Sequence, residues 1–299
     1  MNPNINTINN FRSTGSNDQM SFSDKFKAGW AQVPLFVRFV IISTVSLYLI
    51  SWIISIDQSL SNVPLYTIKY FQIWRLLTSV LMTSNIINIL FAFISWIPDA
   101  IKLENTSGTV RYGLNFFSNS ILIQILYTVG MGLISLVGGS GALQVQSSGL
   151  WPLIMSEISI LCLANPDNQV MMFFVPYPFR AVYYPWALFA FFTIMNMTIQ
   201  FDILAGIAYG HLFFYYLRNY VQFSDSFIQK CENNFLIKKF ANFTGFVPIS
   251  VSSSNASFSN YNQAQNINAS AGTSNFRMEP ADITPVSTPF KGKGTAVGT

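Results

Sequence analysis

The chain has 299 residues, of which 51% are hydrophobic and only 9% charged, with a mean hydropathy of +0.39. Ordinary soluble domains carry about 25% charged residues, so this composition describes a polytopic membrane protein with lipid as its solvent. Sixteen Lys and Arg against twelve Asp and Glu give a formal charge of +4, too small and too scattered for a nucleic-acid surface. Cys162 and Cys231 offer neither a disulfide framework nor metal-ligand spacing, so no metal and no cofactor are expected.

Residues 1–30 are rich in Asn, Ser and Thr, cannot bury much apolar area and are expected to be disordered. No charged-then-apolar segment with a small-residue cleavage site opens the chain, so no removable signal peptide is expected. The membrane body is placed at 31–220. A helix needs about 20 residues to cross the hydrocarbon core, and apolar runs at about 36–56, 79–98, 114–137, 149–164, 185–201 and 203–219 predict six spans. The fourth is short, and the last two are separated by little more than Asp202; short spans imply local thinning of the bilayer. A juxtamembrane segment follows at 221–244. From 245 a polar, low-complexity tail is expected to be disordered.

The positive charges set the orientation. With both termini cytosolic, that side carries Lys25, Lys27, Arg38, Lys102, Arg111, Arg180, Arg218, Lys230, Lys238 and Lys239, against Lys69 and Arg75 on the far side. The Asn-x-Ser/Thr triplets at Asn255 and Asn268 would then never meet a glycosyltransferase.

Within this framework several motifs carry chemistry. The first long loop ends in Trp74-Arg75, a pair that suits a membrane-water interface. After the second span comes Leu103-Glu104, with Gly108 and Arg111 following. The single histidine, His211, closes Gly206-x-x-x-Gly210-His211 in the last span. An intramembrane histidine is a functional-site hypothesis by default. Small residues four apart let another helix approach closely where no hydrophobic force draws helices together.

Trp74-Arg75 and the Leu103-to-Tyr112 segment together resemble the first- and second-loop signatures of the rhomboid superfamily. The resemblance implies an all-α, six-transmembrane-helix rhomboid-like bundle with disordered termini. In active members a serine on the fourth span, in Gly-x-Ser-Gly, is activated by a histidine on the sixth. Gln146-Ser147-Ser148-Gly149 puts Ser148 in the nucleophile's place, with Gln146 where the first glycine belongs, and His211 matches the base. The His-x-x-x-Asn positions of the second span fall on Asn88 and Ala92. Alanine has no side-chain donor, and losing one oxyanion donor costs about a hundred- to a thousand-fold in rate. The resemblance therefore implies no catalytic residues; were the chain a protease, Ser148 and His211 would form its dyad.

Pro152 to Ser156, Arg180 to Leu188 and Gly206-x-x-x-Gly210-His211 are similar to derlins, the rhomboid pseudoproteases of the endoplasmic reticulum. On this resemblance Trp74, Arg75, Gly206, Gly210 and His211 are structural residues, with His211 hydrogen-bonded between the fourth and sixth spans, to Ser148 for instance. Ser84, Asn85, Asn88, Asn115, Ser118 and Asn119 could offer a wetter path beside the helices, or simply join them. The terminus, Pro289 to Thr299, has a Phe-x-Gly-x-Gly-x-x-apolar pattern over 290–297. It resembles the box through which derlins engage the valosin-containing-protein AAA ATPase, with Phe290, Gly292, Gly294 and Val297 as its contacts. The resemblance implies a multi-pass protein of the endoplasmic reticulum membrane, acting in degradation of misfolded clients with a membrane ubiquitin-ligase complex. It leaves a homo- or hetero-oligomer open.

Overall fold

The computed structural model describes residues 22–83, 85–172, 175–217, 223–234 and 243–248. Helix α1 (Phe22–Gln32) leads into α2 (Leu35–Ile53), the two being separated at Pro34, whose preceding residue is disfavoured in helical geometry. Three short helices follow: α3 (Asp57–Leu60), α4 (Pro64–Lys69) and α5 (Trp74–Thr78). Helix α6 (Ile86–Ser107) is capped by Asn85, whose Oδ1 accepts the Ile87 N–H at 2.9 Å. It ends at Gly108, where φ is +88°, and α7 (Thr109–Gly138) begins at once. After a 3-10 turn at Ser140–Gln144 come α8 (Trp151–Ala164), β1 (Gln169–Met172), β2 (Val175–Arg180), α9 (Tyr184–Asn196), α10 (Phe201–Leu212) and α11 (Asp225–Glu232). Helix α10 runs on through a π turn at Phe213–Leu217.

Among the described residues three helices are long and apolar enough to cross a membrane: α2, α6 and α7. The other expected spans fall on shorter helices, namely α8, α9 and the α10 stretch Phe201–Leu217. The architecture is a helical membrane bundle, with three long and three short helices in place of six equivalent spans. The second span also shifts along the chain, because Ser79–Leu81 forms a 3-10 turn and α6 starts only at Ile86. Val80 and Met82, at the start of the expected second span, lie before α6 and are buried inside the protein.

Helix α8 lies inside the bundle, with Leu153, Ile154 and Met155 all buried, and packs against α6, α7, α9 and α10. One core cluster joins Val37 and Val40 of α2, Trp96 of α6, Phe116 and Ile123 of α7, Leu153 of α8 and Tyr209 of α10. Helix α9 is peripheral, and Pro185 is its single buried residue among those described.

Three local features depart from expectation. Residues 22–30, expected to be disordered, belong to α1. The antiparallel hairpin β1–β2 comes between the helices α8 and α9, pairing Gln169 with Arg180 and Val170 with Phe179. Finally, residues 243–248, which cross the expected start of the tail, are bonded to the bundle: Leu35 N–H donates to the Gly245 carbonyl at 2.9 Å, and Thr109 N–H to the Val247 carbonyl at 2.9 Å.

Candidate functional site

The rhomboid-like motifs gather at three places in the bundle. The first is the loop that holds Trp74-Arg75. Arg75 is buried, and its guanidinium points inward: Nε donates to Gln72 Oε1 at 2.6 Å, and Nη1 donates to the carbonyls of Gln58 and, at 2.7 Å, Ser61. The same group lies over the Tyr66 ring, 4.9 Å from its centroid. Burial lowers its pKa from the usual guanidinium value, and Tyr66 opposes that. One side chain thus ties α3, α4 and α5 into a unit, while Trp74 is exposed beside it. The two residues of the motif divide the roles the sequence offered, Trp74 being placed for an interface and Arg75 for the loop's interior.

Next to this loop runs the segment that carries the serine motif. Asn62 and Ser147 exchange two backbone hydrogen bonds, at 3.0 and 2.9 Å, and Gly149 N–H donates to the Ser79 carbonyl at 2.8 Å. Gly149 has φ +95°, and a Cβ there would lie 3.1 Å from Thr83 Oγ1, so the residue behind Ser148 must be glycine on conformational grounds. Ser148 is therefore held between two backbone anchors, and it is half-buried.

Below these anchors lies a polar network that the sequence reading did not single out. The Asn62 amide donates to Gln124 Oε1 at 2.8 Å and to Thr128 Oγ1 at 3.0 Å, while its carbonyl oxygen accepts Thr67 Oγ1–H at 2.8 Å. Gln124 in turn donates to Ser147 Oγ at 3.1 Å. All five side chains are buried, and buried polar groups must be satisfied internally where water is absent. The visible signal was Gln124, an amide inside an apolar run.

The second place is the seam between α8 and α10. A Cβ on Gly206 would lie 2.1 Å from the Pro152 carbonyl oxygen, and one on Gly210 would lie 2.8 Å from that of Ser156 and 2.7 Å from Ser159 Cβ. Only glycine allows this approach. The two contacts share one offset, so the helices run parallel and their register is fixed.

That register separates the expected dyad. Ser148 precedes the first residue of α8, while His211 lies five residues beyond the glycine that faces Pro152, roughly 7 Å further along at 1.5 Å per residue. His211 instead shares a 2.9 Å hydrogen bond between Nδ1 and the Ile207 carbonyl of its own helix. Its ring centroid stands 6.2 Å from that of Trp186 on α9. The expected hydrogen bond between the fourth and sixth spans, to Ser148, is thus corrected to one within α10, beside α9. Asn88 faces outward from α6, and Ala92, buried in the core, has no side-chain donor. Of the polar residues named for a wetter path, Asn85 caps α6 and Asn119 accepts the Tyr209 hydroxyl at 2.8 Å, joining α7 to α10. Ser84 lies outside the described residues.

The third place is the turn at Gly108. Glu104 is buried and accepts three hydrogen bonds: from Phe36 N–H and Val37 N–H, each at 2.9 Å, and from Thr109 Oγ1–H at 2.7 Å. It supplies the side-chain cap that Pro34 cannot give to α2. Arg111, the basic residue of the motif, is buried and paired with Asp225 of α11. The Leu-Glu…Gly…Arg signature is thus a device that closes one end of the bundle. Phe290, Gly292, Gly294 and Val297 lie outside the described residues.

A small bundle whose loop arginine, serine-motif glycine, glutamate turn and glycine seam occupy these places belongs to the rhomboid-like class of membrane proteins. A model described as the Der1-like family matches residues 33–229, about two thirds of the 299-residue chain. The chain belongs to the Der1-like family. It is also similar to Rhomboid-like protein 15 of Arabidopsis thaliana, with 23% identity over 217 residues, which is 68% of this chain and 52% of that protein. The chain therefore spans about half the length of this curated relative.

Proposed function

We propose that this protein is a non-catalytic, derlin-like component of endoplasmic-reticulum-associated degradation. Its membrane body aids the return of misfolded proteins across the bilayer, and its tail recruits a valosin-containing-protein-type AAA ATPase through Phe290, Gly292, Gly294 and Val297. Both termini face the cytosol, and a membrane ubiquitin-ligase complex acts alongside. The observation that carries the non-catalytic part is the α8–α10 register. With Gly206 against Pro152 and His211 bonded to Ile207, the imidazole is held away from Ser148, and a general base must come within hydrogen-bond reach of the proton it takes. Membership of the Der1-like family supports the degradation role, and the Phe-x-Gly-x-Gly pattern at 290–294 supports the ATPase. An extended segment with an aromatic anchor and close-approaching glycines is a recurrent mode of peptide recognition.

Affinity capture from cells with the full chain and its Phe290→Ala variant tests the reading. Loss of the ATPase from the variant, with membrane insertion intact, is the expected outcome. Equal capture by both would remove the tail from the mechanism. Cleavage of a transmembrane substrate by the purified protein, stopped by Ser148→Ala, would replace the reading with a protease.

A further inference from the structure

Residues 243–248 lie across the end of the bundle where α2 begins and α6 turns into α7. The Gly245 carbonyl accepts Leu35 N–H at 2.9 Å, and the Val247 carbonyl accepts Thr109 N–H at 2.9 Å. Val247 N–H donates to Thr109 Oγ1 at 3.0 Å, and Arg38 Nη1 donates to the Thr244 carbonyl at 3.2 Å. Gly245 has φ +97°, and a Cβ there would stand 3.2 Å from both Arg38 Nη2 and the Val33 carbonyl oxygen. Glycine fits this place on conformational grounds. Pro248 follows with no N–H to extend the pairing, so the contact is a short strap with a defined end.

The Thr109 hydroxyl is a relay. It accepts from Val247 N–H and donates to Glu104 Oε1 at 2.7 Å, and Glu104 in turn accepts Phe36 N–H and Val37 N–H. The strap therefore reaches α2 twice, directly at Leu35 and, through Thr109 and Glu104, at the next two residues. Hydrogen bonds linked in a chain strengthen one another, so loss of the first weakens those behind it.

Such a strap opens before the bundle does. Phe243, Thr244 and Pro248 are exposed and Gly245, Phe246 and Val247 only half-buried, and segments with few buried contacts open locally ahead of the core. The chain runs on from Pro248 to the Phe-x-Gly-x-Gly pattern at 290–294, so tension on that tail arrives at Val247 first and Gly245 next. We propose that residues 243–248 are a release strap: tension on the tail parts Val247 from Thr109, and the loss passes through Glu104 to the start of α2, freeing it from the α6–α7 turn. This deepens the proposed function and rests on it for the source of the tension alone; the coupling of strap to α2 stands apart from it.

Residue-resolved amide hydrogen exchange on the full-length protein in lipid nanodiscs tests this. Gly245→Ala forces alanine into a left-handed backbone, and exchange at Leu35 and Thr109 is expected to quicken about five- to thirtyfold. Phe36 and Val37, whose N–H groups bond to Glu104 and not to the strap, are expected to quicken with them. Val247→Pro, which removes the N–H that Thr109 accepts, is expected to act on Phe36 and Val37 in the same way. In a Thr109→Val background, which lacks the relay hydroxyl, Gly245→Ala is expected to leave Phe36 and Val37 unmoved. Exchange along α8 and α10 is expected to stay at the wild-type rate throughout. Adding the ATPase with ATP to wild type is expected to reproduce the Gly245→Ala pattern, and adding it to Phe290→Ala to leave exchange unchanged. Slow exchange at Phe36 and Val37 in both strap variants would overturn the proposal and leave a passive tether. Quickening that spreads to α8 and α10 would also overturn it, by making the strap part of the core. An ATPase that is captured but leaves exchange slow would overturn the role of tension; failure of capture itself would count against the proposed function, while the strap variants still decide the coupling.

Discussion

Gly206 and Pro152 meet so closely that a single methyl group between them would sit 2.1 Å from a carbonyl oxygen. Backbone, not a flexible side chain, forms the wall, so nothing local can move aside. Gly206→Ala is expected to destabilise the bundle by about 1–3 kcal/mol or more, the cost of overpacking a well-filled core. Gly210→Ala meets the Ser156 carbonyl at 2.8 Å and Ser159 Cβ at 2.7 Å and is expected to cost less, because the overlap with backbone is smaller. Thermal unfolding in detergent, followed by the reactivity of the buried Cys162 thiol, would rank the two; equal stability to wild type would mean the seam is looser than described.

Replacing Arg75 by Lys keeps the charge and loses the fork. A lysine cannot serve Gln72, Gln58 and Ser61 while lying flat over Tyr66. Arg75→Lys is expected to loosen the loop, with faster proteolysis around α4 and α5 and little change in membrane insertion. Arg75→Ala should be worse, leaving two carbonyls without their donor, at about 1–3 kcal/mol for each buried group. An unchanged cleavage pattern in both variants would remove Arg75 as the organiser of the loop.

Glu104→Ala strips two backbone N–H groups of α2 of their acceptor at once. Lost helix caps cost about 1 kcal/mol, and buried unsatisfied donors up to about 3. Amide hydrogen exchange should accelerate first at Phe36 and Val37. Glu104→Gln retains one carbonyl acceptor and is expected to fall between the two. Exchange at Phe36 and Val37 no faster than wild type would show that another group caps α2.

Gln124 is the hinge of the buried network, since it accepts from Asn62 and donates to Ser147. Gln124→Leu should destabilise through the partners it orphans, by about 1–3 kcal/mol. The double change Gln124→Leu with Asn62→Ala should cost less than the sum of the single ones, as residues in one network are coupled. Additive effects in such a cycle would mean that the two side chains act separately.

Much of this was legible in the residues. Leucine-, isoleucine- and phenylalanine-rich runs located every apolar helix, and Gly206 and Gly210 announced their seam. Length misled where apolar residues served the protein interior instead of lipid: Val80 and Met82 look like a span and are loop core. The place of His211 was not legible, because the sequence names a residue's helix but not the offset between two helices. That offset was set by Pro152 and Ser156, whose backbone does the packing. The role of Glu104 was hidden for a similar reason, as its partners are backbone N–H groups 67 and 68 residues away.

The pairing of Thr109 with Val247 has a bearing on how the protein is made. The end of the bundle that Glu104 and Thr109 shape includes the first long helix, yet its last backbone partners, Gly245 and Val247, are synthesised after every helix described here. At about 5–20 residues per second, the α2–α7 end must wait roughly 7–40 s, with Leu35 N–H and Thr109 N–H unpaired, until residues 245–247 are made. Closure of that end is therefore a late assembly step, and a chain truncated before residue 243 would present to the cell an inserted but unfinished bundle.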